Sequence, residues 1–270
     1  MKVFMLRWPT RNGLPPFGFV ALLVIALLSL ILTAPLVEIE LERLGQSLGN
    51  FSEFIVNFMV WPNFDYLPTL GVKLLETLQM SLLATAIAIV ISLPLGFLAA
   101  RNATCHPVVY RITRDALSLM RSLPELVWAL VFVSAVGLGP LPGIMALAFV
   151  TVGFMGKFFA EAIETIDPKA VEGVEAHGAS WMQVRLFAMF PQAFPNLAGT
   201  MMYVLDHNVR AATILGIVGA GGIGYDMVMS MRLFQYDRLI LIALSIYLIV
   251  TVLDRLSDYL RNRIIHGAKQ

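Results

Sequence analysis

The chain has 270 residues, of which 58% are hydrophobic and 14% are charged, and its formal net charge is +1. Soluble domains carry about 25% charged residues, so this composition excludes an ordinary soluble protein and indicates one that crosses a membrane several times. The near-zero net charge gives no sign of a nucleic-acid partner. The single Cys105 excludes an internal disulfide and argues against a metal cluster.

Six apolar runs predict an all-α polytopic membrane protein with six transmembrane helices. A hydrocarbon core about 30 Å thick takes about 20 residues of helix to cross. We interpret the first run as a retained helix rather than a removed signal peptide, since no small-residue cleavage site follows it. The predicted spans are residues 17–37, 74–100, 123–136, 144–166, 196–218 and 239–253.

Residues 45–70 carry an apolar patch that is too short to cross the membrane. We expect an interfacial helix on the outer face there, with Trp61 and Tyr66 near the lipid headgroups. The predicted organisation therefore has three parts: residues 1–70 with the first span and this interfacial segment, a core of five spans over residues 71–264, and a tail over residues 265–270.

The distribution of Lys and Arg predicts the orientation. The predicted inside segments hold three, four, two and four of these cations in chain order, thirteen in all. Four lie outside or at the outer border: Arg43, Lys73, Arg232 and Arg238. By the positive-inside rule, this bias places both termini in the cytoplasm.

A polar loop, residues 168–191, joins the fourth and fifth predicted spans. Its charges, among them Lys169 and Glu172, cannot lie in hydrocarbon, so the loop belongs at the inner membrane face. Pro168 suits the first turn of a helix and Gly178 suits its end. These features predict a short amphipathic helix on the membrane surface that docks a partner, the alternative being an ordinary polar connection.

The fifth predicted span contains ionisable residues in its middle. Asp206 and Arg210 are four residues apart and can pair on one helical face, which Thr213 continues. Because charges at bilayer depth are costly, such groups face a bundle interior or an aqueous path. The pair is either a structural link between helices or part of a path that meets an anion, for which arginine is suited, and both roles can hold together.

A glycine-rich run follows, with Gly219, Gly221, Gly222 and Gly224. It is not a nucleotide-binding loop, since no Gly-Lys-Ser/Thr follows it and no soluble strand precedes it. We expect these glycines to let the backbone bend and pack closely beside a pore.

The spacing of the polar loop resembles the E-A-A loop of bacterial ABC importer permeases. That pattern reads E-A-A, three residues, Gly, nine residues, then I-x-L-P, and in that family it forms the coupling helix that fits a cleft on the ATPase subunit. This chain departs from the pattern at four places, with Gly173, Val174, Ala188 and Phe190 in place of Ala, Ala, Ile and Leu. The coupling positions are Glu172, Gly173, Val174, Gly178, Phe190 and Pro191.

The fifth span and the glycine run resemble the E-x-N-V-R…T-x-L-G-x-V-G-A-G-G-I-G stretch of phosphonate-family permeases. Asp206 stands where that family has Glu, whereas Asn208, Arg210 and Thr213 match it. Arg121-Ser122-Leu123-Pro124-Glu125-Leu126 is also similar to that family. The resemblance makes Asp206, Asn208, Arg210 and Thr213 candidates for lining the translocation path.

The resemblance also implies an assembly. It implies a type I permease fold working as a homodimer in the bacterial inner membrane. Its partners would be a cytoplasmic ATPase dimer, which binds ATP and Mg²⁺, and a periplasmic or lipid-anchored substrate-binding protein. The implied substrate is phosphonate or a related phosphorus oxyanion such as phosphite or hypophosphite. No catalytic residue, metal site or cofactor is expected in this chain.

Three other functions stay open at this point. The first is an ABC permease for another small solute. A membrane enzyme would need a metal cluster or an activated nucleophile in the spans, and the sequence shows neither. A passive channel would not need the docking pattern of residues 172–191.

Overall fold

The computed structural model describes residues 17–33, 49, 51–56 and 58–267, and they form helices joined by turns. The chain divides into two compact units, Met1–Met59 and Val60–Gln270. In the first unit, helix α1 (Phe17–Thr33) is mostly apolar, its residues from Leu22 are not buried, and residues 51–56 are also helical. The predictions for the basic residues before Phe17 and the acidic residues after Val37 fall outside the described residues.

The second unit contains nine α-helices within the described part of the chain. Short 3₁₀ turns at Phe64–Tyr66 and Gly216–Val218 and a π turn at Arg185–Met189 connect some of them. The α-helices are α2 (Leu67–Ala99), α3 (Pro107–Met120), α4 (Glu125–Val136), α5 (Pro140–Glu164), α6 (Pro168–Ala176), α7 (Trp181–Val184), α8 (Phe190–Leu215), α9 (Ile223–Arg232) and α10 (Tyr236–Gly267).

Three stretches of the described chain are long and apolar enough to cross a membrane: Phe64–Ala99, Pro140–Glu164 and Tyr236–Tyr259. Two bent pairs raise the number to five if each pair is one span. Helices α3 and α4 meet at 84°, and α8 with its 3₁₀ turn meets α9 at 48°. The apolar part of α1, Gly18–Thr33, is shorter. The described residues therefore confirm the all-helical fold and carry helices apolar enough for a polytopic membrane protein, whereas the number six stays a prediction.

Several helix ends differ from the predicted spans. Helix α5 begins at Pro140 rather than 144, because Pro140 and Pro142 lie in its first turn, where proline costs no hydrogen bond. Helix α4 has 12 residues and is too short to cross alone. Pro94 lies inside α2 without ending it, since neighbouring helices can satisfy the freed backbone groups in a membrane.

Helix α5 is the centre of the bundle. In its most apolar 18-residue stretch 67% of residues are buried, compared with 33% for α2 and 17% for α10. Small residues let its neighbours approach: a side chain at Gly153 or Gly156 would overlap α3 at Leu117, and one at Gly96 of α2 would overlap Phe159. Close contact through glycine is the usual way that membrane helices gain packing energy.

The C-terminal end of α5 is fixed by polar contacts. Arg114 of α3 donates to both carboxylate oxygens of Glu164 at 3.0 Å, and the backbone N–H of Arg101 donates to Glu164 Oε1 at 2.7 Å. The side chain of Asn102 donates to the carbonyl of Ile163 at 2.8 Å. The α2–α3 connection thus holds the end of α5 from which the polar loop departs.

Candidate functional site

The polar loop contains the short helix that its sequence predicts. Helix α6 spans Pro168–Ala176, with Asp167 as its N-cap accepting from the Lys169 N–H at 3.0 Å and proline in its first turn. The helix ends at His177, and Gly178 follows with a φ of +77°. Glycine suits this position because it adopts the left-handed conformation without strain. Lack of space is not the reason, since no atom lies within 4 Å of where a Cβ at Gly178 would be.

One side of α6 packs on the bundle and the other is exposed. Val171 and Val174 are partly buried against a cluster of buried apolar side chains that includes Phe159 and Ile163 of α5. Glu172 and Gly173 are exposed. Of the six predicted coupling positions, four lie on or next to this helix. Phe190 and Pro191 lie at the start of α8, where Phe190 packs on the same cluster and Pro191 is exposed.

Arg185 is a loop residue whose position the sequence did not indicate. It is 5% exposed, its Nη1 donates to the Trp181 carbonyl at 3.1 Å, and its guanidinium lies over the Trp181 ring. It opens the π turn Arg185–Met189 that leads into α8. Such turns inside helices often mark functional positions. Arg185 is therefore buried within the loop rather than offering a solvated charge.

The polar residues in the middle of α8 face three different sets of neighbours. On the first face, Arg210 Nη2 donates to Asp206, as the i,i+4 spacing predicts, and Arg210 Nη1 donates to Asp254 Oδ1 of α10 at 3.2 Å. Asp206 is 8% exposed, and its Oδ1 is buried with no hydrogen-bond partner among the described residues. Arg210 is thus shared between two carboxylates, and Asp254 is a partner that sequence spacing could not identify.

The second face of α8 makes a buried hydrogen-bond chain. Asn208 is 2% exposed; its Nδ2 donates to Thr85 Oγ1 of α2 at 2.9 Å, and its Oδ1 accepts from Thr151 Oγ1 of α5 at 2.9 Å. Thr85 in turn donates to the Ser81 carbonyl at 2.7 Å. Asn208 therefore joins the three central helices, and nothing in the sequence singled out either threonine.

The third face presents His207 to the start of α4. Its Nε2 lies 3.2 Å from Glu125 Oε1. Glu125 belongs to the Arg121–Leu126 stretch that the sequence connects with the phosphonate family, but its partner could not be predicted. Thr213 has a local role, since its hydroxyl donates to the Arg210 carbonyl at 2.6 Å one turn earlier.

The glycine run forms a tight turn against α2. Gly219, Gly221 and Gly222 all have φ values between +75° and +81°. The Gly222 N–H donates to Glu76 Oε1 at 3.2 Å, and the Ile223 N–H donates to Thr77 Oγ1 at 2.9 Å. Because a carboxylate of the chain itself already accepts from this turn, it offers no cradle for a phosphate. A Cβ on Gly224 would overlap the Thr213 carbonyl, so this glycine is required for close packing.

Comparison with known proteins identifies relatives that share most of the chain. Residues 92–266 match the family described as binding-protein-dependent transport system inner membrane component. The chain is 48% identical over 188 residues to the phosphite transport system permease protein PtxC of Stutzerimonas stutzeri, which covers 70% of this chain and 68% of that protein. It is 36% identical over 233 residues to the putative phosphite transport system permease protein HtxC of the same organism, covering 86% and 82%.

A longer relative is the phosphate-import permease protein PhnE of Mycolicibacterium smegmatis. It is 44% identical over 211 residues, which is 77% of this chain and 39% of that protein. Among solved structures, an inward-facing structure of the MetNI methionine ABC transporter superposes with a TM-score of 0.67 at 22% identity, covering 75% of this chain and 99% of that one. This last likeness concerns the fold.

Proposed function

Since the chain belongs to the family of binding-protein-dependent transport system inner membrane components, we propose that it is the permease subunit of an ABC importer for phosphorus oxyanions. Phosphonate, phosphite and hypophosphite are the substrate class. Relatives described as phosphite and phosphate permeases support this. The structural observation that carries the proposal is the set of ionisable and amide side chains on three faces of α8, of which Asp206 and Asn208 are buried in an apolar bundle.

The partner ATPase docks on α6. Glu172 and Gly173 are exposed on the side of α6 that faces away from the bundle, whereas Val171 and Val174 pack against the bundle. The Glu164–Arg114 pair holds the end of α5 from which the loop departs. Movement of α6 in an ATPase cleft would therefore reach α5 and α8 directly. ATP and Mg²⁺ are bound by that partner, and this chain carries no catalytic residue.

The working unit is a homodimer with both termini of each chain in the cytoplasm. Each chain supplies six spans, half of the path and one docking helix, and a substrate-binding protein delivers the anion from outside. Asp206, Asn208, Arg210 and Thr213 border the path, and the turn with Gly219, Gly221, Gly222 and Gly224 closes its outer end against α2. In this proposal the Arg210 ion pairs loosen as the anion passes, which lets one residue serve both structure and transport.

The test is reconstitution of the permease with its ATPase and binding protein in proteoliposomes. We expect ATP-dependent uptake of phosphite, methylphosphonate or hypophosphite, and ATP hydrolysis that rises when the loaded binding protein is added. The matched control is the same assembly with an ATPase unable to hydrolyse ATP, which should take up none of them. Uptake that continues with the inactive ATPase would indicate a passive channel. Uptake of none of the three anions, but of another solute, would refute the substrate class.

A further inference from the structure

A cavity with a volume of about 380 Å³ lies between the α3–α4 break and α8. Its polar lining comes from Arg121, Ser122, Glu125, Thr151 and His207, and its apolar lining includes Leu123 and Phe154. Small-molecule sites are typically about 300–1,000 Å³ and mix a largely apolar wall with a few placed polar groups. The cavity therefore has the size and composition of a binding site for a small polar solute.

The cavity lies at membrane depth. Helix α4 runs for 12 residues from the cavity to the outer turn at Gly137, about 18 Å at 1.5 Å per residue. Thr151 is reached after a similar length of α5, which starts at Pro140 on the other side of that turn. Both are near the middle of a hydrocarbon core about 30 Å thick. Irregular backbone at this depth, as in residues 121–124, occurs where it lines a cavity. Arg121 therefore lies at membrane depth and not in the inside segment before the third predicted span, where the count of cations places it.

The charges around the cavity favour an anion at Arg121. Among the residues that the structure describes, no carboxylate lies within ion-pair distance of Arg121. Glu125, the carboxylate of the lining, lies 3.2 Å from His207 Nε2 and makes no ion pair with Arg121. Arg210, by contrast, is already shared by Asp206 and Asp254. Of these two guanidiniums in the described part of the chain, the one at Arg121 is therefore not held by a carboxylate.

The side chain of Arg121 suits a tetrahedral oxyanion. A guanidinium offers several N–H donors in a planar fork, which matches two oxygens of a phosphonate or phosphite at once. The Ser122 hydroxyl, which donates to the Leu119 carbonyl at 2.8 Å, can rotate to add a donor. Thr151 connects the cavity wall to Asn208 and so to the junction of α2, α5 and α8. An anion held here would contact Thr151, and through it the hydrogen bonds of Asn208 that join the three central helices.

We propose that this cavity is an intramembrane holding site for the transported phosphorus oxyanion, with Arg121 as its principal binding residue. The inference rests on the proposed function and adds the site at which the anion pauses between the binding protein and the cytoplasm. Arg210 lies on another face of α8 and borders the path without being this site.

Binding is tested by protection of a thiol in the permease–ATPase complex without its binding protein. Leu123, on the exposed wall of the cavity, is replaced by cysteine in a Cys105→Ser background. We expect millimolar phosphite, phosphate or methylphosphonate to slow maleimide labelling of Leu123→Cys in a saturable way. In Arg121→Gln the half-protecting concentration should rise about tenfold or more, as loss of a charge-assisted hydrogen bond predicts. Arg111→Gln, an exposed position on α3 outside the cavity, is the matched control and should retain protection.

The proposal would be overturned if sodium chloride at the same ionic strength slowed maleimide labelling of Leu123→Cys equally. Protection that survives Arg121→Gln would also overturn it. Absence of protection by all three phosphorus anions would also overturn it. The uptake assay separates this result from failure of the proposed function. A wild-type assembly that imports phosphorus oxyanion but shows no protection refutes the holding site alone, whereas one that imports none refutes the function. In the reconstituted system Arg121→Gln should lower uptake about tenfold while its ATPase still responds to the binding protein.

Discussion

Arg210 of α8 donates a hydrogen bond to Asp254 of α10 at 3.2 Å, across 44 residues of sequence. The same guanidinium is bonded to Asp206. Asp206 is buried, whereas the side chains of Arg210 and Asp254 are 45% and 48% exposed. One cation thus holds two carboxylates of unequal burial, and removing it affects them unequally.

The first prediction concerns this unequal pair. Arg210→Ala should lower the free energy of unfolding by about 1–3 kcal/mol, below the 3–5 kcal/mol of a fully buried pair because Arg210 is nearly half exposed. The loss comes from leaving the Asp206 carboxylate buried beside Asp254. Asp206→Ala with Arg210→Ala should recover most of the stability, since the remaining Asp254 is half exposed. Thermal unfolding of the purified permease–ATPase complex measures both.

Transport by the same variants separates the two roles of Arg210. If the residue borders the anion's path, the double variant should assemble and hydrolyse ATP with its binding protein, yet fail in phosphorus oxyanion uptake. Arg210→Lys should lie between, because it keeps the charge but loses the fork. Wild-type uptake by the double variant would leave Arg210 with a structural role alone.

The second prediction concerns the Asn208 chain. Thr151→Val keeps the side-chain shape but leaves the Asn208 carbonyl oxygen without its donor, so unfolding should become easier by about 0.5–2 kcal/mol. Thr200→Val is the control: its hydroxyl donates to the Asn196 carbonyl within the same helix at 3.0 Å, and its loss should change little. Titration with SDS measures the difference, and equal effects of the two substitutions would contradict a special role for Asn208.

The sequence predicts what lies on one helix better than what faces it. Apolar runs predicted α2, α5, α8 and α10, and the i,i+4 rule predicted the Asp206–Arg210 pair. The partners of Arg210, Asn208 and His207 were not predicted, because they lie far away in the chain. They are Asp254, Thr85 and Glu125, at separations of 44, 123 and 82 residues. Helical periodicity tells which residues share a face, but the rotation of each helix in the bundle is set by packing.

The docking loop shows the same division. Its helix and its terminal glycine were predictable, because proline and glycine punctuate a chain by local backbone preference. The burial of Arg185 against the ring of Trp181 was not predictable. The positive-inside rule counts cations without saying which of them are solvated.

The third prediction separates two reasons for glycine at Gly178. The backbone there has a φ of +77°, and the space around it is open. If conformation is the reason, Gly178→Asn should retain most coupling, because asparagine tolerates the left-handed region, whereas Gly178→Val should lose it. If an ATPase surface approaches closely, both variants should fail, as Gly178→Trp should in either case. Binding-protein-stimulated ATP hydrolysis is the measurement, and full coupling in all three variants would contradict both reasons.

The fourth prediction tests the orientation. In a Cys105→Ser background, which removes the exposed native thiol, Glu40→Cys should react with an impermeant thiol reagent added to intact cells. Gln270→Cys should react after the membrane is opened. The expectation follows from the excess of Lys and Arg on the predicted inside segments. The reverse pattern, or equal labelling of both cysteines in intact cells, would contradict cytoplasmic termini.

The last prediction contrasts two glycines on either side of the Arg210 turn. A Cβ on Gly224 would overlap the Thr213 carbonyl and approach Gly216, so Gly224→Ala must push α9 away from the end of α8. Forced overpacking of this kind costs about 1–3 kcal/mol.

Gly199 lies inside α8 with no atom within 4 Å of the position that a Cβ would take. There Gly199→Ala should stabilise the helix by about 0.5–1 kcal/mol, since alanine loses less backbone entropy. Thermal unfolding of the two variants should therefore shift in opposite directions. A shift of the same sign and size for both would show that the contact between Gly224 and Thr213 does not limit how closely α9 packs on α8.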